Sequence, residues 1–135
     1  MAFTGNFTCN SFKSGLIDGD FDFDTDTFKI ALYTNNATLN ADTAAYTTSG
    51  EVSASGYTAG GNTLTVSKGI TSGTAYISFT DVTISAAFTA RGALIYKDGG
   101  AAVCVLDFGS DKTSTTTFTV DFPVASSTDA LIRLS

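Results

Sequence analysis

The chain has 135 residues, 13 of them acidic against 7 basic, for a net charge of −6. That length fits one domain spanning 1–135, and 43% hydrophobic with 15% charged residues is too apolar for a disordered chain. Histidine and tryptophan are absent and Glu51 is the one glutamate, which removes imidazole and with it most familiar hydrolase and zinc sites. The basic residues are scattered and outnumbered, which argues against direct nucleic-acid binding, and no apolar run approaches the roughly 20 residues of a membrane helix.

At the start of the chain, residues 1–6 lack a basic segment followed by an apolar one, so no secretory signal is expected and folding is expected in a cytosol. Phe12 and Leu16, four apart between Asn10 and Gly19, predict one short helix, an appendage to the rest. Asn10 or Ser11 is its expected cap and Gly19 its left-handed stop.

Asp18, Asp20, Asp22, Asp24 and Asp26 follow within nine residues. An extended backbone places them on one side, with Phe21 and Phe23 on the other. Carboxylates on one side repel, which favours a hard cation, a basic partner surface or plain hydration. An EF-hand is ruled out, because the sixth position from Asp20 is Thr25 and the twelfth is Ala31. Asp20, Asp22 and Asp24 are the candidate calcium ligands, and no other cofactor is expected. Asp22 and Asp24 are also candidates for contact with a basic partner. A glycosidase pair needs carboxylates about 5–9 Å apart across a cleft, which adjacent aspartates do not supply.

Phe28, Ile30 and Leu32 alternate with Lys29, Ala31 and Tyr33, the pattern of a half-buried strand. Residues 34–61 read as a long loop whose sizeable side chains are Leu39, Tyr46, Val52 and Tyr57. A loop of this length in a compact domain is usually functional, so Tyr46, Val52 and Tyr57 are the candidate partner contacts. Strands are predicted over 63–66 and 74–82, and over 90–96 and 101–108 joined by a tight turn at Lys97-Asp98-Gly99-Gly100. The last pair is apolar on both parities and is expected mid-sheet. Arg91, at the start of the first of them, is expected to pair with an aspartate in the sheet. Gly109 to Lys112 reads as a further turn, residues 117–122 as a strand ended by Pro123, and 131–134 as the closing strand. Cys104 lies in an apolar run and is expected to be reduced and buried; whether it is bridged to Cys9 stays open.

With 23 threonines, 11 phenylalanines and 5 tyrosines, the composition favours strands. The expected fold is all-β, a two-sheet antiparallel sandwich or jelly roll of seven or eight short strands with the one helix.

The segments Asp26-Thr27-Phe28-Lys29-Ile30-Ala31-Leu32-Tyr33-Thr34, Gly50-Glu51-Val52-Ser53-Ala54-Ser55-Gly56-Tyr57-Thr58-Ala59-Gly60-Gly61 and Phe88-Thr89-Ala90-Arg91-Gly92-Ala93-Leu94-Ile95-Tyr96 resemble a family of small tailed-bacteriophage proteins. The resemblance runs from about Asn10 to Leu134. Members are virion structural proteins, and the likeness carries no catalytic residues, so it implies a non-enzymatic particle component. The preferred expectation is a capsid decoration or cement protein, made in the host cytoplasm and placed on the capsid surface of the virion. It would bind the major capsid protein and itself, as a homo-oligomer, with no nucleic-acid or membrane contact. The alternative is a neck or tail adaptor, or a receptor-binding module of the same particle.

Overall fold

The computed structural model describes residues 3–135; Met1 and Ala2, part of the stretch read for a leader, lie outside the described residues. Ten strands and one helix follow in the order β1 (Phe7–Thr8), α1 (Asn10–Asp18), β2 (Phe28–Tyr33), β3 (Asn62–Leu64), β4 (Val66–Thr71), β5 (Thr74–Phe79), β6 (Val82–Ile84), β7 (Thr89–Lys97), β8 (Ala102–Thr113), β9 (Phe118–Val120) and β10 (Ile132–Leu134). They build a five-stranded sheet in the order β1-β8-β7-β2-β3, a three-stranded sheet β10-β5-β4 and a two-stranded sheet β6-β9, with every pairing antiparallel. The fold is the expected all-β sandwich, with its second layer divided between the two smaller sheets.

The five-stranded sheet is buried on both faces, because its central strands carry apolar side chains on both parities. Phe28, Ile30 and Leu32 of β2, with Ala93 and Ile95 of β7, face the smaller sheets through Phe79, Val82, Ile84, Phe118 and Val120. Ala31, Tyr33, Leu94, Tyr96 and Val105 face the other way, where Phe3, Cys9, Ala37 and Leu39 cover them. The half-buried reading of β2 is therefore corrected. Ala31 and Tyr33 are as deeply buried as Ile30, because the chain before and after β2 folds back over the sheet where no second sheet lies.

Other local expectations are adjusted by tertiary contacts. The helix begins at Asn10, but neither Asn10 nor Ser11 caps it: Asn10 Nδ2 donates to Asp42 Oδ1 (2.8 Å) and Ser11 Oγ to the Ala102 carbonyl (2.8 Å). Cys9, tied to the Val103 carbonyl through its N–H, takes the cap position without a side-chain bond. Gly19 is the left-handed stop, at φ 80°. Nor is the helix an appendage, since Phe12 enters the main core. The predicted strand 74–82 is split by Thr80 and Asp81, the Asp81 carboxylate accepting the Phe122 N–H at 2.7 Å.

The expected turn at Gly109 is instead a wide bulge inside β8. Gly92 pairs with Asp107 and Ala90 with Lys112, so one residue of β7 faces four of β8. Arg91 sits at that irregularity and grips Asp107, Nε to Oδ1 at 3.0 Å, while the Gly109 N–H donates to the same oxygen at 2.8 Å. The Arg91 guanidinium holds the Asp107 carboxyl below its ordinary value of 3.8, with the Gly109 N–H adding to the effect. A carboxylate lowered on folding stabilises above its unfolded value and loses that contribution as pH falls through the folded one. Asp107→Asn is thus expected to cost about 1–2 kcal/mol at neutral pH. The gap from wild type should close as pH falls below the folded value, as read by urea unfolding; a gap that persisted in acid would place the cost in packing.

Candidate functional site

The densest gathering of polar chemistry is built by the long loop on itself. Residues 34–61 turn back across β2, where the Val52 N–H donates to the Leu32 carbonyl and the Thr34 N–H to the Gly50 carbonyl. This return places Glu51 among tyrosines. Its Oε1 accepts the Tyr46 hydroxyl at 2.6 Å, and its Oε2 accepts the Tyr57 hydroxyl at 2.7 Å and the Gly60 N–H at 2.8 Å. Tyr57 Oη in turn accepts the Leu32 N–H of β2 at 2.9 Å. Tyr96 donates to the Gly60 carbonyl at 2.6 Å and stacks on Tyr46 with ring centroids 5.0 Å apart, while Tyr33 donates to the Thr47 carbonyl at 2.7 Å.

Four of the five tyrosines thus meet around the single glutamate. Burial pushes Tyr46 up to about 12, with the Glu51 hydrogen bond and charge adding to it, and burial with the Asp98 and Glu51 charges does the same for Tyr96. Tyr33 and Tyr57 are raised further, again chiefly by burial. All four hydroxyls stay protonated and donate, and the carboxylate accepts three hydrogen bonds. An arrangement so bonded holds the loop in place.

This geometry corrects the expected loop contacts. Val52 and Tyr57 are 5% and 8% exposed, both within the main core, so neither presents its side chain to a partner. Tyr46 is half-buried against Tyr96 and packs on the second core. What the loop leaves outward is polar and small, including Asn35, Asn36, Thr38, Asn40, Asp42, Ser53 and Ser55. The Glu51 cluster itself escaped notice in the sequence. Its signal was a lone carboxylate in a neutral stretch with a tyrosine five residues before and another six after.

The acidic run is a turn and not an extended strand. The Asp26 N–H donates to the Asp22 carbonyl at 2.9 Å, the Asp22 N–H to Asp26 Oδ2 at 2.8 Å and the Asp24 N–H to Asp22 Oδ1 at 2.9 Å. The Asp24 N–H, with Thr25 next, holds the Asp22 carboxyl below its usual range. What closes the turn is aromatic packing: Phe23 stacks on Phe28 with centroids 4.5 Å apart, and Phe21 meets Phe12 edge-on at 5.0 Å. The carboxylates are then dealt out to separate lysines, Asp24 to Lys68 at 2.9 Å and Asp26 to Lys97 at 3.2 Å, while Lys97 Nζ also donates to the Asp20 carbonyl. Among the described residues no three cysteine, aspartate or glutamate side chains converge to hold a metal, so Asp20, Asp22 and Asp24 are not brought together. Asp22 and Asp24 do stay exposed, as a partner contact requires.

Both cysteines are free and buried, Cys104 in the main core and Cys9 in the second, on opposite faces of the five-stranded sheet. Burial raises the Cys9 thiol to about 11 and raises Cys104 further, so neither is a nucleophile at neutral pH. Comparison of the chain with protein-family models, curated proteins and solved structures returns no match.

Proposed function

We propose that the chain is a non-enzymatic structural subunit of a tailed-phage virion, a capsid decoration or cement protein that binds the major capsid protein and itself on the outside of the shell. What supports this reading is where the three segments that carry the resemblance fall. Residues 26–34 supply the acidic turn's end and the central strand β2, residues 50–61 supply Glu51, Tyr57 and the glycines beside them, and residues 88–96 form most of β7. The likeness therefore covers the parts on which this fold depends. The clusters that carry chemistry are engaged in holding it together, which suits a part made for mechanical service.

The contact with the shell falls to the acidic turn, where exposed Asp22 presents negative charge to a basic strip and exposed Asp24, already paired with Lys68, adds less. Deleting residues 41–56 is a poor test of loop contact, since it removes Glu51 and Val52 from the structure. The direct test is the copy number in purified native particles, by quantitative mass spectrometry against the major capsid protein. A ratio near one, or a simple fraction of it, is expected. A handful of copies would move the chain to the neck or tail, and absence would overturn the virion reading.

A further inference from the structure

Every sheet has two edges, and an unpaired edge invites another chain, so folded proteins keep edges short, bulged or charged. Five of the six edge strands here are short: β1 has two residues, and β3, β6, β9 and β10 have three each. The outer side of β8 beyond β1 carries its bulge, the left-handed Gly109 and the charges of Asp107, Asp111 and Lys112. The sixth edge, β4, is different. It runs six residues, pairs with β5 in unbroken register from Val66 opposite Phe79 to Thr71 opposite Thr74, and contains no proline.

The inner face of the same sheet continues past the core. Leu134, Ala75 and Ile70 lie in one cross-strand row, next to a second row of Ile132, Ile77 and Lys68. They floor a groove of about 360 Å³, with Ile70 73% and Leu134 53% exposed. Charge does not oppose a second copy here. A chain of net charge −6 repels itself over most of its surface, but the one charge on β4, Lys68, is balanced by Asp24 at 2.9 Å.

We propose that two copies pair through their β4 edges, antiparallel about a twofold axis with Gly69 opposite Gly69, joining the two three-stranded sheets into one of six strands. The register follows from the side chains. Inner-face residues must meet inner-face residues, so 66, 68 and 70 face the same set in the partner. Setting Lys68 against Lys68 is repulsive, whereas the Gly69 register sets each Lys68 against the partner's Ile70, where the lysine stem covers the isoleucine and its ammonium keeps its exposed partner Asp24. On the outer face the same register brings Ser67 opposite the partner's Thr71.

This inference rests on the self-association in the proposed function, but its test is separate. Sedimentation velocity of the full chain over a concentration series is expected to show a monomer–dimer equilibrium. Ile70→Lys should weaken it at least about tenfold by setting like charges opposite one another, while Ile17→Lys, on the exposed side of α1, should leave it unchanged. The Ser67→Cys/Thr71→Cys double variant should oxidise to a covalent dimer and Ser67→Cys alone should not, because Ser67 and the partner's Ser67 are four residues out of register. Cys9 and Cys104, both buried, do not compete. A wild-type monomer at every concentration overturns the proposal, as does a dimer indifferent to Ile70→Lys or one that fails to cross-link. An abundant particle protein that is monomeric would sink the edge and spare the virion reading. A dimer absent from particles would do the reverse.

Discussion

Gly61→Ala is expected to destabilise the fold by about 4 kcal/mol or more. Gly61 sits at φ 80°, where it ends the long loop and turns into β3, its N–H donating to the Thr58 carbonyl at 2.9 Å. A methyl group there would run into the Ile30 carbonyl oxygen and stand 2.8 Å from the Ala31 Cα. Neither can retreat, because β2 is hydrogen-bonded to β3 on one side and β7 on the other. The neighbouring Gly60 supplies the control. It too has a positive φ, 93°, but a methyl there meets only the Tyr96 hydroxyl at 3.4 Å. Gly60→Ala should therefore cost only the backbone strain, about 1–2 kcal/mol. Urea unfolding of both variants against wild type decides the matter. Equal losses would mean that the close approach to β2 has no weight.

The sequence disclosed best those features that are local. Asp98 and Gly99 form the expected tight turn, with the Gly100 N–H donating to the Lys97 carbonyl at 2.8 Å, and apolar residues on both parities put β7 and β8 mid-sheet as expected. Arg91 does pair with a sheet aspartate. What escaped depends on residues far apart in the chain. Tyr33 looked like the solvent side of a half-buried strand because the cover over it comes from Phe3, Ala37 and Leu39, which no period-2 pattern can show. Strand β4 is not legible beyond Val66 because Lys68 and Gly69 have low strand propensity; pairing with β5 overrides it. Gly109 has the composition of a turn and adopts a turn-like φ of 84°, yet the strand continues because Thr113 finds Thr89 across the ladder, hydroxyl to hydroxyl at 2.8 Å. The loop misled most. Its tyrosines read as outward contacts, and they point inward because one carboxylate and one β2 amide supply the partners that buried hydroxyls require.

That carboxylate carries the second large effect. Glu51→Ala is expected to destabilise the chain by about 3 kcal/mol, because it leaves the Tyr57 hydroxyl and the Gly60 N–H without an acceptor inside the fold. For a domain of this size the melting temperature should fall by roughly 10 °C. Glu51→Gln separates the hydrogen bonds from the packing. Its amide oxygen can accept from Tyr57 and Gly60 while its amide nitrogen donates to Tyr46, whose hydroxyl has only to rotate, so the loss should shrink to about 1 kcal/mol. Hydrogen exchange adds a site-specific readout. The Leu32 amide is held by the Tyr57 hydroxyl, so in Glu51→Ala it should exchange faster while the Ile95 amide, deep in β7, keeps its protection relative to global unfolding. If Glu51→Ala melted like wild type with Leu32 still protected, the loop would be held by Val52, Leu39 and the return ladder alone, and the four tyrosines would be ordinary packing around an incidental charge.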